Sequence, residues 1–173
     1  MILPNVSALP SLVEIVDHYN VPLGAMPLEE ARRQGLFYRM TLVLLYDKNN
    51  KIYLKKIKRD DAPSCQWDLG LETCLHPGES TLDGAYRIIK ECIGRETGKL
   101  RFAGTILPSV ATGRFFVALY KMKHCYQISP PPPIGTYLVV DRDELSGIVK
   151  SCPDLVTPRL AYLWGHGKLF DAW

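Results

Sequence analysis

The chain predicts an α/β fold: a mixed β-sheet with helices on both faces. Three observations carry that expectation. Met40 to Tyr46 is a nearly continuous apolar run, as a strand buried on both faces requires. Thr81 to Ile93 has helical periodicity and is stopped by Gly94. The remaining strand-like segments alternate with helical ones rather than clustering, so the connections must be mixed.

In order, Val13 to Asp17 reads as a short strand. Pro27 to Gln34, with Glu29, Glu30, Arg32 and Arg33, reads as a helix ended by Gly35. The buried run then meets a turn at Asp47-Lys48-Asn49-Asn50, and Lys51 to Ile57 is its hairpin partner. Trp67 to Cys74 is one expected strand; Leu100 to Leu107, Arg114 to Met122 and Thr136 to Val140 are three more. Asp141 to Val149 and Pro158 to Trp164 read as helices. Four prolines, Pro130 to Pro133, make a stiff connector between strands, with too little chain after them for a second core. One domain spanning 1–173 is therefore expected, with 1–12 as an N-terminal extension.

Composition narrows the function classes. Apolar residues are 47%, charged residues 23%, and the net charge is +3, which does not suit a binder of nucleic-acid polymers. The first basic residue is Arg32, and Met1 to Val16 is broken by Pro4 and Pro10, so no secretory leader is expected. No apolar stretch reaches the ~18 residues that span a bilayer. Five cysteines at scattered positions (65, 74, 92, 125, 152) suit reduced thiols in a cytoplasm.

Two stretches carry a family resemblance. Glu79 is followed after seven residues by Arg87-Ile88-Ile89-Lys90-Glu91-Cys92-Ile93-Gly94. This resembles the Nudix box: Gly, five residues, Glu, seven residues, then Arg-Glu-apolar-any-Glu-Glu-any-Gly-apolar. Glu79, Arg87, Ile89, Glu91 and Gly94 match it, whereas Thr73 stands at the opening Gly, Ile88 and Cys92 at two Glu positions, and Arg95 at the last apolar one. Upstream, Val16-Asp17, Asn20, Pro22-Leu23-Gly24, Arg33, Gly35-Leu36, Arg39 and Trp67-Asp68 are similar to a Nudix subgroup related to type I isopentenyl-diphosphate isomerase. The resemblance implies a Nudix-type α/β/α sandwich and the hydrolysis of a nucleoside diphosphate linked to another group.

It also implies magnesium. Positions 88, 91 and 92 share one helix face, where three carboxylates would converge on Mg²⁺ ions that polarise a diphosphate and activate water. Here that face offers Ile88, Glu91 and Cys92, leaving Glu91 as the one metal-ligand carboxylate in a poor magnesium site. The plainer alternative is an amphipathic helix whose buried stripe, Leu82, Ala85, Ile89 and Ile93, is widened by Ile88 and Cys92. Hydrolysis is accordingly expected to be weak or lost, and a non-catalytic module binding a phosphorylated ligand or a protein partner is the alternative.

Cys74-Leu75-His76-Pro77 resembles the Cys-any-His-Pro element of the isomerases, where the Cys moves protons and the His binds metal. The upstream histidines and later glutamates of that centre are absent: Phe37 and Tyr38 occupy the first, and Gly113 to Ala118 has no Glu. Cys74 and His76 are two ligands where structural zinc needs four; His124-Cys125 completes the count on paper alone. Residues 97–140 hold no Asp or Glu but five cations, Lys99, Arg101, Arg114, Lys121 and Lys123, which either wall a metal-free anion pocket or face solvent on alternate strand positions. The site is thus expected from Glu79, Arg87 and Glu91, with ligand contacts from Arg39, Arg114, Trp67, Cys74 and His76. The basic run Lys55, Lys56, Lys58 and Arg59 reads as a solvated strand end. Trp164, Phe170 and Trp173 either seal the core or form a contact between two copies.

Overall fold

The computed structural model describes residues 12–58, 64–94, 99–123 and 136–170. The strands are β1 (Leu12–Val16), β2 (Pro22–Pro27), β3 (Phe37–Tyr46), β4 (Ile52–Lys58), β5 (Cys65–Leu69), β6 (Leu71–Cys74), β7 (Leu100–Ile106), β8 (Phe115–Lys123) and β9 (Tyr137–Val140). The helices are α1 (Leu28–Gln34), α2 (Thr81–Ile93), α3 (Arg142–Ser151) and α4 (Pro158–Gly165), with a single 3₁₀ turn at Pro153–Leu155 before α4.

β3 organises the sheet. One of its edges pairs in parallel with β8 from Tyr38 to Tyr46. Its other edge is shared in sequence by β1 at Phe37 and Tyr38, β6 from Met40 to Val43, and β4 at Tyr46. That single parallel pair among antiparallel ones makes the sheet mixed. β5 and β9 flank β4 on opposite edges.

The period of two along β3 splits the core in two. Met40, Leu42 and Leu44 pack with α1, α3 and α4 residues such as Ala31, Leu145 and Leu160. Val43 and Leu45 face the other way, onto Ala85, Ile88 and Ile89 of α2. Helices thus cover both faces: the chain is an α/β/α sandwich.

Three details differ from the sequence reading. β2, Pro-Leu-Gly-Ala-Met-Pro, was not expected as a strand; it pairs only with β1 at the sheet edge, where proline is tolerated. The expected single strand over Trp67 to Cys74 breaks at Gly70, whose φ is +48° and where a Cβ would come within 2.1 Å of the Val43 carbonyl oxygen. Leu82 is 43% exposed rather than buried. Pro130 to Pro133, His124, Cys125, Arg59 and Trp173 lie outside the described residues. Trp164 and Phe170 meet edge to face at 6.2 Å and pack on the core. No described helix is long and apolar enough to cross a membrane.

Candidate functional site

Two regions on opposite faces of β3 concentrate the polar chemistry. The first is the loop running from Cys74 into α2. Ser80 caps α2, its hydroxyl accepting from the Asp83 N–H at 3.1 Å. Gly84 lets the helix settle on the loop, since a Cβ there would meet Leu75 at 2.4 Å. Arg87 then clamps the loop: Nε and Nη2 donate to the two oxygens of Glu79, both at 2.8 Å, Nη2 also to the Cys74 carbonyl at 2.9 Å, and Nη1 to the Thr73 hydroxyl at 3.2 Å. The bond to Glu79 raises the Arg87 pKa; burial opposes ionisation of Glu79, but the Arg87 bonds hold its carboxyl below the ordinary range. Glu79 also accepts from the His76 N–H at 2.9 Å.

The other expected residues scatter around this clamp. Glu91 is exposed and lies 3.7 Å from Arg87. The three side-chain nitrogens of Arg39 donate to Asn20 Oδ1, Glu14 and the Asn20 carbonyl at 2.8, 2.7 and 2.5 Å, tying the β1–β2 turn to β3. Glu14 in turn accepts from Gly78 N–H at 3.2 Å. Cys74 is fully buried, and burial pushes its thiol up to about 12. The His76 residue is exposed. Trp67 packs against the core with Lys56 5.8 Å over its ring. Arg114 is exposed and donates to the Gly35 carbonyl at 3.2 Å. Of the five cations over 97–140, Lys121 is instead in the core, 1% exposed, donating to the Leu169 carbonyl at 3.2 Å.

The second region is a cavity of about 370 Å³ on the α1–α4 face. Its floor is ionic. α4 starts at Thr157, whose hydroxyl caps Leu160 N–H at 3.2 Å and donates to Asp68 at 2.8 Å. That cap fixes α4 against β5, and Thr157 N–H donates to the Trp67 carbonyl at 3.0 Å. Arg159, two residues on, donates to Asp68 at 2.5 Å and to Glu72. Lys55 lies 3.5 Å from the second Glu72 oxygen. Burial opposes the Glu72 charge, yet Arg159 and Lys55 outweigh it and hold the carboxyl well below its usual range. Lys55 also faces α2: burial raises the Cys92 thiol, and the Lys55 charge works against that rise.

The cavity walls are Tyr38, Met40 and Phe115, and Arg32 of α1 stands in its lining. One rim is the loop 109–113, closed by Ser109–Gly113 backbone bonds of 3.1 and 2.8 Å and by Thr112 Oγ1 to the Leu107 carbonyl at 3.1 Å, with Val110 fully exposed. An adjoining cavity of about 360 Å³ shares Val110 and Gly113 and is bordered by Phe37 and Arg114. Sequence reasoning missed Arg32, Tyr38, Glu72 and Arg159. One signal was present: Asp68 and Glu72 are two carboxylates inside the apolar stretch Trp67 to Cys74, and a buried carboxylate needs a cation.

No family model matches the chain. It is 29% identical over 111 residues to a Pseudomonas aeruginosa protein described as an uncharacterized Nudix hydrolase; the match spans 63% of this chain and 65% of that relative. A crystal structure of a Deinococcus radiodurans protein superposes with a TM-score of 0.72 at 14% identity, covering 90% of this chain and 98% of that one. A solution structure from the same organism, described as a hypothetical Nudix protein, gives 0.57 at 11% identity over 96% of this chain and 99% of that one. The MutT protein of Methanosarcina mazei gives 0.53 at 15% identity, covering 75% of this chain and 91% of that one. The chain is similar in sequence to a Nudix hydrolase over part of its length and has the fold of the Nudix proteins.

Read as a Nudix box, the loop and α2 keep the half of the motif that holds the loop to the helix. The half that would hold metal does not fit magnesium. Ile88 is 2% exposed and packs in the α2 core, Cys92 is half-buried against it, and Glu91 alone offers hard oxygens. Among the described residues, no three His, Cys, Asp or Glu side chains converge as a metal-ligand group.

Proposed function

We propose that this chain binds a phosphorylated small molecule through its Nudix fold, and that hydrolysis of the family type is weak or lost. That reaction is the magnesium-dependent cleavage of a nucleoside diphosphate linked to another group. The observation that carries the reading is Ile88: where the box has a carboxylate, the side chain is 2% exposed inside the core. A buried isoleucine can neither ligate a cation nor orient water, so the charge relief that metals supply is missing. Protein cations remain: Arg32 in the cavity lining and Arg114 beside the adjoining cavity supply guanidinium groups suited to phosphate.

The test is thermal stabilisation by nucleoside diphosphates, sugar nucleotides and prenyl diphosphates, each with EDTA and with magnesium, alongside product analysis. Stabilisation in EDTA with no product is the expected outcome. Magnesium-dependent turnover at rates usual for enzymes, about 1 s⁻¹ or faster, would overturn it.

A further inference from the structure

The cavity on the α1–α4 face carries a more buried ionic cluster and a more exposed guanidinium, with Arg159 11% and Asp68 5% exposed but Arg32 45%, and that difference constrains what enters it and in which direction. In the buried cluster the charges cancel. Asp68 and Glu72 contribute two negative groups to the lining; Arg159 bonds both, at 2.5 Å for Asp68, and Lys55 reaches Glu72 at 3.5 Å from outside the lining. Thr157 donates to the remaining Asp68 oxygen, which also accepts from the Leu69 N–H. A phosphate pushed to this cluster would meet two carboxylates whose cations are already committed. The hydroxyl of Thr112, also in the lining, is bonded to the Leu107 carbonyl and to Ser109. The lining also presents Tyr38, Met40, Phe115 and Ile57, a surface for a ring or hydrocarbon. Arg32 is different. Among the described residues its ion pair is to Glu29 at 3.1 Å, a surface pair in which Glu29 is 84% exposed, and such pairs are weak and readily exchanged; its side chain also hydrogen-bonds Tyr38, which holds the guanidinium beside the ring wall.

We infer that the cavity takes a phosphate monoester with a neutral ring body, ring first, so that the ring lies against Tyr38, Met40 and Phe115 and the phosphate stays at Arg32. This rests on the proposed metal-free binding and specifies the ligand and its orientation. About 370 Å³ accommodates one ring system. It also separates two chemistries that the fold alone does not: a compact polyanion such as pyrophosphate has no ring for the apolar wall and meets a floor whose cations are already paired with carboxylates.

Calorimetric titration in EDTA with phenyl phosphate, inorganic phosphate and inorganic pyrophosphate tests this on the full chain. Phenyl phosphate is expected to bind at least about tenfold more tightly than either inorganic anion. Arg32→Gln should weaken it by about tenfold or more, the size of one charge-assisted hydrogen bond. Arg33→Gln, one residue on and outside the cavity lining, should leave it unchanged. Val110→Asp, which adds a negative charge on an exposed rim residue without touching the core, should also weaken phenyl phosphate. Tighter binding of pyrophosphate, or loss of binding in Arg114→Gln but not in Arg32→Gln, would overturn the orientation while leaving metal-free binding intact. If none of these three anions and none of the diphosphates binds in EDTA, both readings fall together.

Discussion

Arg87 and Arg159 sit on opposite faces of the same sheet and solve similar problems differently. Arg87 spends its short bonds on one half-buried carboxylate, Glu79, and on the neutral oxygens of Thr73 and Cys74, with exposed Glu91 3.7 Å away as a longer pair. The result is a staple between a loop and a helix. Arg159 spends its donors on two carboxylates, Asp68 and Glu72, at the floor of a cavity. The contrast shows that a Nudix box has two separable parts. Under the proposed reading, the Glu79–Arg87 part holds the backbone here, while positions 88, 91 and 92, where the box would hold metal, fall in the core and at the surface. The other face carries a cluster in which Asp68 and Glu72 are paired with Arg159 and Lys55.

The largest expected effect comes from forcing the old chemistry back. Ile88→Glu places a carboxylate at a site 2% exposed among Val43, Ala85 and Ala118, and should cost about 4 kcal/mol in urea unfolding. Cys92→Glu, at the half-buried edge, should cost well under half as much. If the double variant were instead stable and hydrolysed diphosphates with magnesium, position 88 would have to turn out of the core with little rearrangement, and the division of the box drawn here would be wrong.

Next in size is the pair of arginines. Arg159→Met leaves Asp68 and Glu72 without their shared cation and should cost about 3 kcal/mol, whereas Arg87→Met leaves one carboxylate and should cost about 2 kcal/mol. Their acid limbs should differ too. Glu72 has a folded pKa below its ordinary 4.5, so its stabilisation is complete above that value and is lost as pH falls toward the lowered folded one. Arg159→Met should flatten this acid limb; Arg87→Met should leave the Glu72 part of it. Equal losses with identical pH profiles would show that the floor cluster is no more than another staple.

How much of this was readable in the chain depends on distance along it. β3 and α2 were legible because their patterns are local: a run buried on both faces, and a capped stretch ended by Gly94. Box spacing singled out Glu79 and Arg87 but not the bond between them. β2 was hidden because a strand at the edge can carry Pro and Gly that would exclude a central one. The cavity was hidden for a different reason: Arg32, Tyr38, Glu72 and Arg159 come from α1, β3, β6 and α4, and no periodicity links them. The basic set over 97–140 divides in a way composition does not reveal: Lys121 lies in the core on β8, while Arg114 is exposed beside a cavity.

The smallest expected effect is the one that isolates what remains of the metal face. Glu91 is the surviving box carboxylate on that face, exposed, with a single long contact to Arg87 at 3.7 Å. An Arg followed by Glu four residues later is the weaker orientation for a helical ion pair, so Glu91→Gln should change stability by no more than about 0.5 kcal/mol. Its value lies in manganese. A site of about 10 μM affinity would add roughly 2.7 kcal/mol to folding at about 1 mM free Mn²⁺. One carboxylate beside a guanidinium and a half-buried thiol is a poor home for such an ion, because the cation would be drawn by one charge and repelled by its neighbour. Thermal unfolding of the wild type and of Glu91→Gln should therefore give the same midpoint with and without Mn²⁺. A manganese-dependent rise in the wild type that disappears in Glu91→Gln would mean that the box still holds metal, and the contrast between its two parts would fail at the residue where it is most exposed to test.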